Sequence, residues 1–121
     1  MAGRIPRVTE DIELYRGDSY VYRFEVTDED DTVVDLSTYT YAGMIRLTAD
    51  GAQIAEFTFD DAEAADGILT AIVDAVVTET IELPLGTGVY DIQVTDAGIV
   101  HTVRAGGVTL VKDVTYDINS K

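Results

Sequence analysis

His101 is the one histidine of a chain that has no cysteine and no tryptophan. Imidazole is the side chain that exchanges protons near neutral pH, so acid–base or nucleophilic chemistry would have to begin there. A triad needs a nucleophile and an orienting acid beside the imidazole, and no Gly-x-Ser-x-Gly spacing marks such a nucleophile. His101 instead shares its parity with Ile99 and Val103, against Val100, Thr102 and Arg104. That alternation is the setting of a partly buried or interface histidine in a strand. Without cysteine, disulfides and thiolate metal sites are excluded.

Carboxylates are plentiful, and their clusters are the next candidates. Asp28, Glu29, Asp30 and Asp31 form one group; Asp60, Asp61, Glu63 and Asp66 form another. Oxygen clusters suit calcium, but neither group has the central glycine and distant bidentate glutamate of an EF-hand loop. Both read as solvated acidic turns, with no metal and no cofactor expected. Paired carboxylates for glycoside hydrolysis are available everywhere in so acidic a chain, which deprives any one pair of meaning. Gly86 and Gly88 lead into a strand and lack the lysine and helix of a phosphate loop. Arg16-Gly17-Asp18 spells the tripeptide read by integrins, but so short a match arises often by chance, and glycine and aspartate there read as a tight turn. The expectation is a protein that is not an enzyme.

Charge narrows the partners. Eight Lys and Arg against 23 Asp and Glu give a net charge of −15. Phosphate backbones are bound by cationic neutralisation, so neither nucleic acid nor an anionic membrane is expected as a direct partner. Between Phe24 and Val103 the only cation is Arg46, whereas Arg4, Arg7, Arg16, Lys112 and Lys121 lie toward the ends. Basic termini on an acidic body read first as ordinary surface charge that keeps the protein soluble, and otherwise as ends that dock on acidic neighbours. No apolar run approaches the ~18 residues that span a bilayer, and residues 1–7 have no apolar core of a secretion signal. The chain is expected to be made in the cytoplasm as a soluble protein.

At 121 residues, 46% of them hydrophobic, the chain suits one domain with its own core. Residues 1–8, with Gly3, Pro6 and two arginines, read as an extended N-terminal arm that orders when something holds it. A first edge strand follows at 9–15. The turn 16–19 leads to a strand over 20–27, whose Tyr20, Tyr22, Phe24 and Val26 recur at the period of two that lines one face of a sheet. Further strands are predicted at 39–47, 53–59, 68–73, 88–94, 99–105 and 107–114. Asp50-Gly51 and Asp96-Ala97-Gly98 make hairpin turns. Gly106-Gly107 breaks the last two strands at a bulge or kink. Between Asp74 and Pro84 the pattern suits a short helix over about 75–83.

Short strands, turn signals every eight to twelve residues and no alternation of strands with helices give an all-β fold. The prediction is an antiparallel immunoglobulin-like β-sandwich of seven to eight strands over 9–115, followed by a C-terminal tail at 116–121. Arg16-Gly17-Asp18 before the strand 20–26, Asp35-Leu36-Ser37, the run from Gly88 to Val94, Gly107-Val108-Thr109-Leu110 and Asp113-Val114-Thr115 together resemble a group of small tailed-phage proteins. These are immunoglobulin-like β-sandwich modules of phage virions, including the N-terminal domain of baseplate upper proteins and capsid decoration proteins.

The resemblance implies a non-enzymatic virion protein with no catalytic residues. It would bind other virion proteins, the major capsid protein or tail proteins, as a homo-oligomer or as copies on a lattice. A capsid decoration or cement protein is the leading expectation, with a tail or baseplate structural protein as the alternative. Arg4, Ile5, Pro6 and Arg7 are the expected interface residues, and deleting 1–8 is expected to weaken attachment while sparing the domain. A carbohydrate-binding or adhesive module using Tyr39, Tyr41 or Tyr116 is a competing expectation, and calcium-dependent adhesion a third.

Overall fold

The structure is a computed structural model and describes residues 5–49, 51–83 and 86–111. Among the described residues nine strands form two sheets, with one short α-helix and a single 3-10 turn at Ala64–Asp66: an all-β, immunoglobulin-like sandwich. In chain order they are β1 (Val8–Thr9), β2 (Ile12–Tyr15), β3 (Tyr20–Glu25), β4 (Thr40–Arg46), β5 (Gln53–Glu56), β6 (Thr58–Asp60), β7 (Ile68–Val73), α1 (Ala75–Thr80), β8 (Thr87–Asp96) and β9 (Ile99–Val111). The larger sheet runs β1-β9-β8-β4-β5 with β2 also on β9, and the smaller runs β3-β7-β6.

Alternation drives the layering. Phe24, Ile45, Leu69, Val73, Ile92 and Val94 are among the buried residues between the sheets, each removing apolar surface from water at about 25 cal/mol per Å2. Within β8, Tyr90, Ile92 and Val94 face inward, and the residues between them are only half-buried. On β3 the tyrosines are half-buried and Phe24 is buried, so the aromatic stripe is the inner face.

The sandwich is antiparallel except at one edge. β1 and β2 both run parallel to β9, Val8 against Arg104 and Ile12 against Val108. The offset is the same in both pairs, so the two strands are one edge strand interrupted at Glu10 and Asp11. There the backbone of Glu10 comes so close to Gly106 that a Cβ would meet its carbonyl. Asp11 Oδ1 accepts the Gly107 N–H at 2.8 Å. Contrary to the prediction, the glycine pair does not break the last strand; β9 runs on through it because glycine admits the neighbouring backbone. The bulge lies earlier: Ile92 faces Arg104 and Gln93 faces Thr102, leaving Val103 as the extra residue. A bulge turns two successive side chains to one side, and both Val103 and Arg104 point into the sandwich.

The predicted strand over 53–59 is two strands. β5 pairs with β4 in the large sheet and β6 with β7 in the small one. The crossing residue is Phe57, whose N–H bonds the Gly43 carbonyl at 3.0 Å. Its ring lies where a Cβ on Gly43 would stand, 2.8 Å from Cδ2, so residue 43 must be small. The helix is shorter than predicted, ending at Thr80, with Ile81 extended (φ −65, ψ 131). Ile81 and Leu83 are both buried, which they achieve by leaving the helix, and the residue before a proline disfavours helical angles.

The extended arm predicted over 1–8 is corrected over its described part. Ile5 is 6% exposed and belongs to the core, and Val8 already pairs with β9. An isoleucine gains roughly 1.5–3 kcal/mol by burial, and pairing covers a strand edge that would otherwise stay open. The sandwich thus includes Ile5. The tail at 116–121 lies outside the described residues.

Candidate protein-interaction surface

The four expected interface residues part company. Ile5 is in the core, Pro6 and Arg7 are exposed, and Arg4 lies outside the described residues. Because β1 is tied to β9, Arg7 is held over the outer face of the large sheet. It reaches a groove of about 390 Å3 whose walls include Thr9, Met44, Arg46, Val89, Asp91 and Ala105. Strand alternation puts these side chains there: β4 buries Gly43 and Ile45 and turns Met44 and Arg46 outward, while β8 buries Tyr90 and Ile92 and turns out Val89 and Asp91.

The groove is cationic at two points. Arg46 is steered by Nη1 donating to the Gly51 carbonyl at 3.1 Å and by Nη2 at 3.3 Å from Met44 Sδ. Among the described residues neither Arg7 nor Arg46 is in an ion pair, and the salt bridge is Arg23–Glu63, at 2.9 Å and exposed. Asp91 lines the same groove without closing a bridge to either arginine. Arg46 and its place on the sheet were missed at the sequence level as a site. Its isolation among 23 acids was the available signal.

The acidic loops serve their own turns. Asp28 is 7% exposed, and its Oδ1 accepts the N–H groups of Asp30 and Thr32 at 2.9 and 3.0 Å. That arrangement fixes the turn whose Asp31 takes φ 61. Hydrogen bonds from the Ser37 hydroxyl and N–H hold the Asp35 carboxyl below its ordinary value. The Arg23 guanidinium does the same for Glu63. Among the described residues no group of three or more acids and imidazoles is placed to hold a metal ion.

Arg16-Gly17-Asp18 is folded down on α1. Arg16 Nη2 donates to the Ile81 carbonyl at 3.1 Å, Gly17 N–H to Thr78 Oγ1 at 3.2 Å, and Thr78 Oγ1 to the Asp18 carbonyl at 2.8 Å. A tripeptide clamped in this way is a structural turn. Tyr41 packs on Phe59 with ring centroids 5.8 Å apart and donates to the Leu36 carbonyl at 2.8 Å. Tyr39 packs against the same core, and Tyr116 lies outside the described residues. His101 is half-buried on β9 opposite Val94, and no hydrogen bond among the described residues ties it to an acid or a hydroxyl.

No protein-family model matches the chain, and no curated protein matches its sequence. Among solved structures it is similar to one described as the crystal structure of the Lin-41 filamin domain, with 15% identity, 82% of each chain covered and a TM-score of 0.47. The likeness concerns strand arrangement and transfers no residue role.

Proposed function

We propose that the chain is a non-enzymatic structural protein of a tailed-phage virion, which binds other virion proteins as a capsid decoration or cement protein. The virion context rests on the sequence resemblance. The protein-binding part rests on one observation: Arg7 and Arg46, neither ion-paired among the described residues, line one open groove on a chain of net charge −15. On such a body two cations without a carboxylate partner among the described residues, held at one sheet face, support a surface for a partner protein rather than for polyanionic nucleic acid, whose binding requires neutralising many phosphates. Repetition on a lattice makes modest individual contacts sufficient.

The test is to purify particles that carry the gene's product, quantify the protein by mass spectrometry and locate it by cryo-electron microscopy. Stoichiometric density on the shell is the expected result. Density on the tail would replace the capsid assignment with the tail alternative, and absence from intact particles would overturn the virion reading.

A further inference from the structure

We propose that the groove between β1, β9, β8 and β4 takes a short extended segment of a partner protein that presents an apolar residue between two acidic ones on a single face, at every second position. The carboxylates would bond Arg7 and Arg46, and the apolar side chain would lie on Met44, Val89 and Ala105. The inference rests on the protein-binding reading above and names the partner's chemistry.

Three observations select that occupant. Guanidinium groups form their strongest hydrogen bonds with planar oxyanions, and Arg46 is already oriented by the Gly51 carbonyl. The walls between the arginines are partly apolar, which a free inorganic anion cannot use and an extended peptide can, since its residues i, i+2 and i+4 share one face and can present an apolar side chain between two carboxylates. Asp91 stands in the same groove. Its charge, with −15 on the whole chain, repels a dense polyanion but tolerates carboxylates presented singly. Asp91 thereby limits affinity and sharpens the choice of partner, the role of a repulsive element in recognition.

The probe is a fluorescein-labelled Glu-Ser-Val-Ser-Glu peptide, followed by anisotropy against the full chain, with Gln-Ser-Val-Ser-Gln as the neutral control. The acidic peptide is expected to bind at least tenfold tighter than the control and to weaken as salt is raised. R7Q/R46Q should lower its affinity at least tenfold, and D91N should raise it severalfold. Equal binding of the two peptides, or an unchanged affinity in R7Q/R46Q, overturns the proposal. The comparison of peptides needs no variant, so a poorly folded R7Q/R46Q leaves it decided. Inorganic phosphate binding with no peptide binding would make the groove a free-anion site and also overturn it. Normal incorporation of R7Q/R46Q into particles removes the groove while the virion reading stands. Peptide binding by a protein absent from particles does the reverse.

Discussion

The guanidinium carbon of Arg104 lies 4.6 Å from the centroid of the Phe24 ring, so a cation carried by the six-stranded sheet covers an aromatic residue of the three-stranded one. The same side chain donates to the Glu25 carbonyl at 3.0 Å and to Tyr22 Oη at 3.2 Å. Val26 N–H bonds the Gly67 carbonyl, so the even-numbered residues of this stretch bond toward β7. The odd-numbered ones, Val21, Arg23 and Glu25, turn their backbone groups to the open edge of β3. Arg104 therefore caps one end of an edge that pairs with no strand among the described residues, a protection against edge-to-edge association.

Arg104→Ala should destabilise the fold by about 1–3 kcal/mol, the scale of a partly buried cation–aromatic contact with its hydrogen bonds. Urea unfolding measures the loss. The same variant should self-associate more readily on size-exclusion chromatography. An unchanged midpoint and elution volume would show that Arg104 neither ties the sheets nor guards the edge.

Gly106→Ala places a methyl group against the Glu10 backbone, whereas Gly107→Ala meets Asp11 Oδ1 at 3.3 Å, a contact a side chain can relieve. The first should cost about 1–3 kcal/mol as overpacking, and the second clearly less. Thermal melts of the two variants side by side check the order.

Thr78→Val keeps the shape of a fully buried residue and removes the hydroxyl that serves Gly17 N–H and the Asp18 carbonyl. Buried backbone groups left without partners cost about 1–3 kcal/mol. The expected result is a lower unfolding midpoint together with faster proteolysis in the 16–19 turn, read by mass spectrometry of fragments. Faster cleavage without a midpoint shift would mean that the clamp orders the turn alone.

Burial raises the Tyr20 phenol to about 12, with smaller contributions from Tyr22 and Glu10, and burial also raises Tyr90. A phenol whose pKa is higher in the folded state than its ordinary value of about 10 stabilises the fold fully below pH 10. That contribution is lost as pH rises from 10 through 12, because the unfolded chain releases its protons first. Circular dichroism over this window should show a steep fall in stability, and Tyr20→Phe should make the fall shallower. An identical alkaline slope in the variant would remove Tyr20 from the cause.

Ile5→Ala should destabilise by about 2–4 kcal/mol, as truncation of a buried isoleucine does. Deletion of residues 1–8 should do at least as much, since it also removes the β1 pairing at Val8. The expectation that this deletion spares the domain is thereby reversed. An attachment assay on the deletion would confound unfolding with lost contacts, and single substitutions at Arg7 and Arg46 avoid that.

Alternating apolar residues were enough to find the strands. The stripe from Tyr20 to Val26, the pair β4 and β5 around Asp50-Gly51, β7 and the inward run Tyr90, Ile92, Val94 are local patterns, because a side-chain period of two needs only one chain segment to be visible. The charge balance, the absence of cysteine and the lone histidine also limited the chemistry before any fold was known. What the pattern could not carry was pairing. That β1 and β2 share a register against β9, that the 53–59 run changes sheets at Phe57, and that Ile5 is a core residue depend on contacts between distant segments. Gly106 looked like a break because a glycine pair has no local feature distinguishing a kink from a place where another backbone passes. The same limit hid the groove: Arg7 and Arg46 are 39 positions apart, and only the sheet, with β9 and β8 between their strands, sets them on one face.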